Sequence, residues 1–206
     1  MNKFLTKMLP VLLLGPLAAF TIVGCSSDLN PINSPATDNA KQSEPLESPN
    51  PYPQLTEDQL NNLIPGYRIL SVDERAYAHD EALDDQSSRF IRKTVGGTVT
   101  HRNNGVQIGA WQLWEDRTIT VSTPYPGYAI VDFYPHPYRF NGCVRMWVDL
   151  TYVQLPPGMR WDEMAFFYVN DDGTYTRYWG QLDLNARQYI AWPDHFSRYI
   201  IAAPTR

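Results

Sequence analysis

The stretch Cys143-Val144-Arg145-Met146-Trp147-Val148-Asp149-Leu150-Thr151-Tyr152 alternates without a break. Val144, Met146, Val148, Leu150 and Tyr152 fall in one row, and Cys143, Arg145, Trp147, Asp149 and Thr151 in the other. A period of two belongs to extended backbone, where successive side chains point to opposite faces. One row is wholly apolar and must be covered, and the other carries charge. That is the pattern of a sheet packed on one face, so the segment predicts a strand lying against a second sheet.

Reading outward, similar but shorter runs stand at Thr98–His101, Val106–Ala110, Thr118–Ser122, Ala129–Tyr134, Ala165–Asn170, Thr174–Tyr178, Tyr189–Trp192 and Ser197–Ala202. Gly, Pro, Asn and Asp separate them at intervals of about ten residues, the spacing of short antiparallel strands. Asn170-Asp171-Asp172-Gly173 is a hairpin turn signal. No helical crossover pattern lies between the runs, so the expected fold is all-β, a two-sheet antiparallel β-sandwich. Upstream, Thr56 followed by Gln59, then Leu60 and Leu63 and a stop at Pro65, predicts one short capped helix. Tyr67 to Val72 reads as a further strand, and the acidic, mixed stretch Asp73 to Ser88 as a loop or weak helix.

The N-terminal quarter has a different texture. Residues 1–24 comprise a basic start with Lys3 and Lys7, an apolar run from Met8 to Phe20, and a small-residue exit. That is the build of a secretory leader. The run is broken by Pro10, Gly15 and Pro16 and is shorter than the roughly 20 residues a spanning helix needs. Ile22, Gly24 and Cys25 resemble the lipobox of bacterial lipoproteins. The resemblance implies cleavage between Gly24 and Cys25 and acylation of Cys25, with membrane lipid as a partner; Ser26 in place of Asp implies sorting to the outer membrane. From Cys25 to about Leu55 the chain is rich in Ser, Asn, Pro and acids and poor in large apolar groups. Such a segment cannot bury enough surface to offset its ordering entropy, and it is expected to be a disordered, extended stalk. The organisation expected is therefore leader 1–24, stalk 25–55, helix and connecting segment 56–88, and sandwich 89–206.

A second resemblance covers roughly residues 89–203. Gly96-Gly97-Thr98-Val99 opens it and His195-Phe196-Ser197-Arg198-Tyr199-Ile200-Ile201-Ala202 closes it. Between them lie Thr118-Ile119-Thr120-Val121, the alternating strand, and Phe166-Phe167-Tyr168 leading to the Asp172-Gly173 turn and Trp179. These marks resemble the ZU-five domain, the β-sandwich of zonula occludens proteins, netrin receptors and ankyrins. The chain departs from that pattern at Gln107 to Asp116, where QIGAWQLWED replaces a Pro-x-Gly-Ala turn. The resemblance implies protein interaction or a structural role, with no cofactor. Because the HFS sequence is cut in some members of the family, it also makes His195, Phe196 and Ser197 candidates for self-cleavage between Phe196 and Ser197. That chemistry needs the Ser197 hydroxyl to attack the Phe196 carbonyl, His195 to take the proton, and a strained peptide.

Composition excludes several classes. The net charge is −5 and becomes −7 once a leader with two lysines and no acid is removed, and no Lys/Arg cluster offers a nucleic-acid surface. There is no G-x-S-x-G elbow, no H-E-x-x-H and no phosphate-cradling glycine loop. The histidines, His79, His101, His136 and His195, are scattered, so no metal site is expected. Cys25 and Cys143 are the only cysteines, and acylation of the first would leave the second an unpaired thiol. Asp132, Asp149 and Asp183 sit on strands and would matter catalytically only as a spatial pair. The aromatic residues suggest another binding mode, in which Trp111, Trp114, Tyr125, Tyr128 and Trp147 share one ligand face and stack on sugar rings. The expected function is a lipid-anchored, non-catalytic interaction or structural module of the cell envelope, with an envelope protein or a glycan as partner.

Overall fold

The computed structural model describes residues 54–73, 75 and 85–205. The leader, Cys25 and the stalk to residue 53 lie outside the described residues, as does His79. After a short helix α1 (Glu57–Asn61), the strands run β1 (Tyr67–Ile69), β2 (Ser71–Val72), β3 (Gln86–Ile91), β4 (Gly97–His101), β5 (Asn104–Ile108), β6 (Arg117–Ser122), β7 (Ile130–Tyr134), β8 (Tyr138–Arg139) and β9 (Arg145–Asp149). They continue as β10 (Val153–Gln154), β11 (Ala165–Val169), β12 (Tyr175–Tyr178), β13 (Gln181–Asp183), β14 (Gln188–Ala191), β15 (His195–Phe196) and β16 (Arg198–Pro204). No helix among the described residues is long and apolar enough to cross a membrane.

Two antiparallel sheets form the body. One has seven strands in the order β12-β11-β16-β7-β6-β3, with β1 also paired to β16; the other has five in the order β13-β14-β9-β5-β4. The alternating stretch supplies β9, and Val144, Met146, Val148 and Leu150 are all buried in the main core as their row requires. Facing them from the larger sheet are Ile119, Val121, Phe133, Phe166, Tyr199 and Ile201. Tyr152 departs from the pattern: the strand ends at Asp149, the chain turns at Thr151, and the Tyr152 ring is left 41% exposed.

The larger sheet is covered on both faces. Along β16, Tyr199, Ile201 and Ala203 enter the main core, while Ile200 and Ala202 enter a second cluster with Leu60, Ile64, Ile69, Tyr125 and Phe167. A strand covered on both faces has no polar row, which is why this one reads Tyr-Ile-Ile-Ala-Ala. The cover is α1, whose Thr56 and Gln59 form the expected capping box. The segment 56–88 thus contributes structure rather than only connecting: β1 extends the seven-stranded sheet, β2 pairs with β10, and β3 begins at Gln86 inside the stretch expected to be loop or weak helix. On the outer face, Asp132 of β7 sits directly opposite Arg198 of β16. The guanidinium grips the carboxylate through Nε at 2.7 Å and Nη2 at 2.9 Å, with both side chains almost wholly buried.

Candidate functional site

The antiparallel order gathers five connections at one end of the sandwich: 92–96, 109–116, 135–144, 170–174 and 192–197. Hydrogen bonds knit them together. Trp111 N donates to Lys93 O at 2.6 Å, Asn141 N to Gln112 O at 2.9 Å, and Phe140 N to Asp194 O at 2.7 Å. Gly96 is required here: it adopts φ +73, and a Cβ would lie 2.3 Å from Ile108 O.

Two candidate sets meet at this end. The first is His195-Phe196-Ser197. Phe196 is buried, stacked on Phe133 and edge-on to Phe140. Ser197 is also buried, and its Oγ donates to Val169 O. His195 turns away: its Nδ1 bonds Asp194 Oδ1 at 2.7 Å and its ring meets Tyr168 edge-on. No hydrogen bond joins His195 to Ser197 among the described residues. Burial pushes the Asp194 carboxyl up, but the His195 hydrogen bond and the charges of His195 and Arg139 outweigh it, and the group sits below its ordinary value.

His136 lies 60 residues from Phe196 and carries no local mark that connects it with this set. In the fold its Nδ1 lies 2.7 Å from the Phe196 carbonyl oxygen, which can only accept, so Nδ1 donates. Nε2 lies 3.2 Å from Asp171 Oδ1. The rings of His136, Tyr138, Tyr168 and His195 line a small cleft of about 90 Å³ over this bond. Chemically, a donor on the Phe196 carbonyl would stabilise an oxyanion there.

The second set, the five aromatic residues, is divided. Trp111 and Trp114 stand 60% and 63% exposed on the 109–116 loop. Tyr125 is buried in the second cluster, where its hydroxyl accepts from Leu55 N and the Arg198 guanidinium lies 5.3 Å from its ring. Tyr128 is half-buried at the opposite end. Trp147 is only 8% exposed on the outer face of the five-stranded sheet, its Nε1 donating to Asn103 O and Arg145 lying over its ring. The single face of five rings is therefore not formed, because β7 and its loop carry the tyrosines to the far end and Gly105 lets Trp147 lie flat. Val95 and Trp192, neither singled out from the sequence, are also exposed on connections at this end, at 70% and 41%. The turn context, Val95 before Gly96-Gly97 and Trp192 before Pro193, was the available signal.

The remaining candidates resolve individually. Asp132 is taken by Arg198, Asp149 accepts from Thr151, and Asp183 accepts from Asn185 N and Ala186 N, so the three acids do not pair with one another. His101 is buried between Ser87 and Thr123. Among the described residues no group of three His, Cys, Asp or Glu is placed to hold a metal ion. Cys143 corrects an expectation, being disulfide-bonded rather than an unpaired thiol; the other cysteine, Cys25, lies outside the described residues. Comparison with known proteins adds no family, since no protein-family model matches the chain and no curated protein matches it.

Proposed function

We propose that this chain is an exported bacterial lipoprotein, cleaved before Cys25, acylated on that residue, and carrying its sandwich on a stalk as a non-catalytic interaction module. The Gly96-Gly97-Thr98-Val99 and HFS marks, which fall on the turn into β4 and on β15–β16, support a ZU-five-like reading of the sandwich. The observation that carries the interaction role is the exposure of Val95, Trp111 and Trp114, each more than half exposed, on two connections at the same end of the sandwich. Exposed apolar side chains grouped at one place mark contact surfaces. Acylation of Cys25 and a disulfide between Cys25 and Cys143 would exclude each other, because one sulfur cannot hold both a thioether and a disulfide. Fractionation of producing cells tests the anchor. The wild-type chain is expected with membranes and the Cys25→Ala variant in the soluble fraction, and a wild type that is soluble contradicts the proposal.

A second reading, self-cleavage at Phe196-Ser197, is favoured by the His136 contact to the Phe196 carbonyl. Attack by Ser197 Oγ on the Phe196 carbonyl carbon would form an ester and free the Ser197 amine, and water would then release residues 197–206. Intact mass decides it: a ten-residue loss that vanishes in Ser197→Ala supports cleavage, and one full-length mass removes it.

A further inference from the structure

We infer that His136 is a proton-operated clasp between the 135–144 connection and the 170–174 turn, closed while its ring carries two protons and open once it has lost one. The assignment is independent of the lipid anchor and of cleavage.

The geometry that carries it is the pair of oxygens set against the two ring nitrogens. Nδ1 lies 2.7 Å from the Phe196 carbonyl oxygen, and Nε2 lies 3.2 Å from Asp171 Oδ1. Carbonyl and carboxylate oxygens only accept, and a neutral imidazole has one N–H and one lone pair. Whichever nitrogen keeps the proton, the other turns its lone pair on an oxygen. Only the imidazolium presents a proton to both. The His136 side chain is 7% exposed, so water has little access to relieve the mismatch. Imidazole is also the side chain whose ordinary titration falls between about pH 5 and 8.

The two oxygens differ in how firmly they are held. Phe196 O belongs to β15, where Phe196 pairs with Tyr138 of β8 and its ring is buried. Asp171 is 76% exposed in the turn that joins β11 to β12. That turn is closed by its own bonds, Asn170 N to Thr174 O and Gly173 N to Asn170 O. Loss of a proton therefore releases Asp171 rather than Phe196 O. The turn can then leave the 135–144 connection with its own bonds intact, which widens the cleft of about 90 Å³ that both share with Tyr168 and His195.

The charged and titratable groups around His136 come from three elements. Tyr138 and Arg139 stand on its own connection, Tyr168, Asp171 and Asp172 on β11 and its turn, and Asp194 and His195 on the 192–197 connection. Arg139 Nη1 lies 3.0 Å from Asp194 Oδ2, and His195 Nδ1 lies 2.7 Å from Asp194 Oδ1. Asp172 Oδ1 accepts from Thr174 N and Oγ1. Asp171 is the carboxylate set at ion-pair distance from His136. His195 is a second imidazole in the same cleft, so the test must separate the two.

The test reads the effect of Asp171→Asn on the unfolding constant of the purified protein at about pH 5.5 and about pH 8.5, either side of the ordinary imidazole range. The substitution is expected to raise that constant about two- to fivefold more at the lower pH, the range of an ion pair with one exposed partner. In a His136→Gln background, whose amide still donates to Phe196 O, the effect of Asp171→Asn should be the same at both pH values, although His195 and Asp194 remain. Should His136→Gln fail to fold, NMR of the wild type takes its place: the His136 ring and the Asp171 and Gly173 amides should shift over one common pH midpoint. An Asp171→Asn effect that is equal at the two pH values overturns the inference. So does a pH-dependent effect that persists without His136, or turn amides that do not follow the ring.

Discussion

Replacing Asp132 with Ala withdraws the carboxylate that Arg198 grips through two hydrogen bonds, at 2.7 and 2.9 Å, and that Tyr134 Oη also bonds at 3.0 Å. Both charged side chains are at least 97% shielded from solvent, at 0% and 3% exposure. Burial works against the guanidinium charge, but the Asp132 hydrogen bonds and charge overcome it, so the Arg198 pKa is raised. Removing one partner of a buried pair costs about 3–5 kcal/mol, because the remaining charge stays in a medium that cannot solvate it. For a domain of roughly 150 residues each kcal/mol moves the melting temperature by about 2–4 °C, so a fall on the order of 10 °C is expected. Replacing both residues by apolar ones, Asp132→Val with Arg198→Met, should recover most of that loss. Thermal and urea unfolding of the three proteins provide the assay. A single variant within about 1 kcal/mol of wild type would refute the assignment of this pair as a buried strut, and so would a double variant no better than the single.

Gly105→Ala would place a Cβ 2.4 Å from the Trp147 ring, which is held by its bond to Asn103 O; unfolding curves should show a loss of about 1–3 kcal/mol, and an unchanged midpoint would mean the ring is free to move. Asp194 sits below its ordinary pKa, so its contribution is present above the unfolded value of about 3.9 and disappears as pH falls through the lowered folded value. The melting-temperature gap between wild type and Asp194→Asn should therefore be widest near neutrality and close in acid, and a gap independent of pH would count against the Asp194–His195 bond.

Much of the fold was legible because its signals are local. The period of two at Val144 to Leu150 needs no partner to be recognised, and the Thr56–Gln59 capping box and the Asn170 to Gly173 turn are set by residues within four positions of one another. The nine strands expected in the sandwich correspond to β4, β5, β6, β7, β9, β11, β12, β14 and β16, and the one expected at Tyr67 to Val72 to β1 and β2. Those that escaped notice are short or polar. β3 begins Gln-Ser-Ser-Arg at an exposed edge, and β8, β10 and β15 have two residues each, whose pairing is decided by tertiary neighbours. The candidate sites were less legible for the same reason. Nothing local marks His136 as the donor to Phe196 O, and a strand pattern cannot tell that Trp147 is pinned over a glycine while Trp111 and Trp114 stand clear.

The proposed lipid anchor is tested most directly by the intact mass and N-terminal peptide of the protein extracted from membranes of cells that make it. A chain beginning at Cys25, carrying diacylglyceryl on sulfur and an acyl group on its amine, is the predicted result. A chain that retains residues 1–24, or one whose unmodified Cys25 is joined in a disulfide, would contradict it.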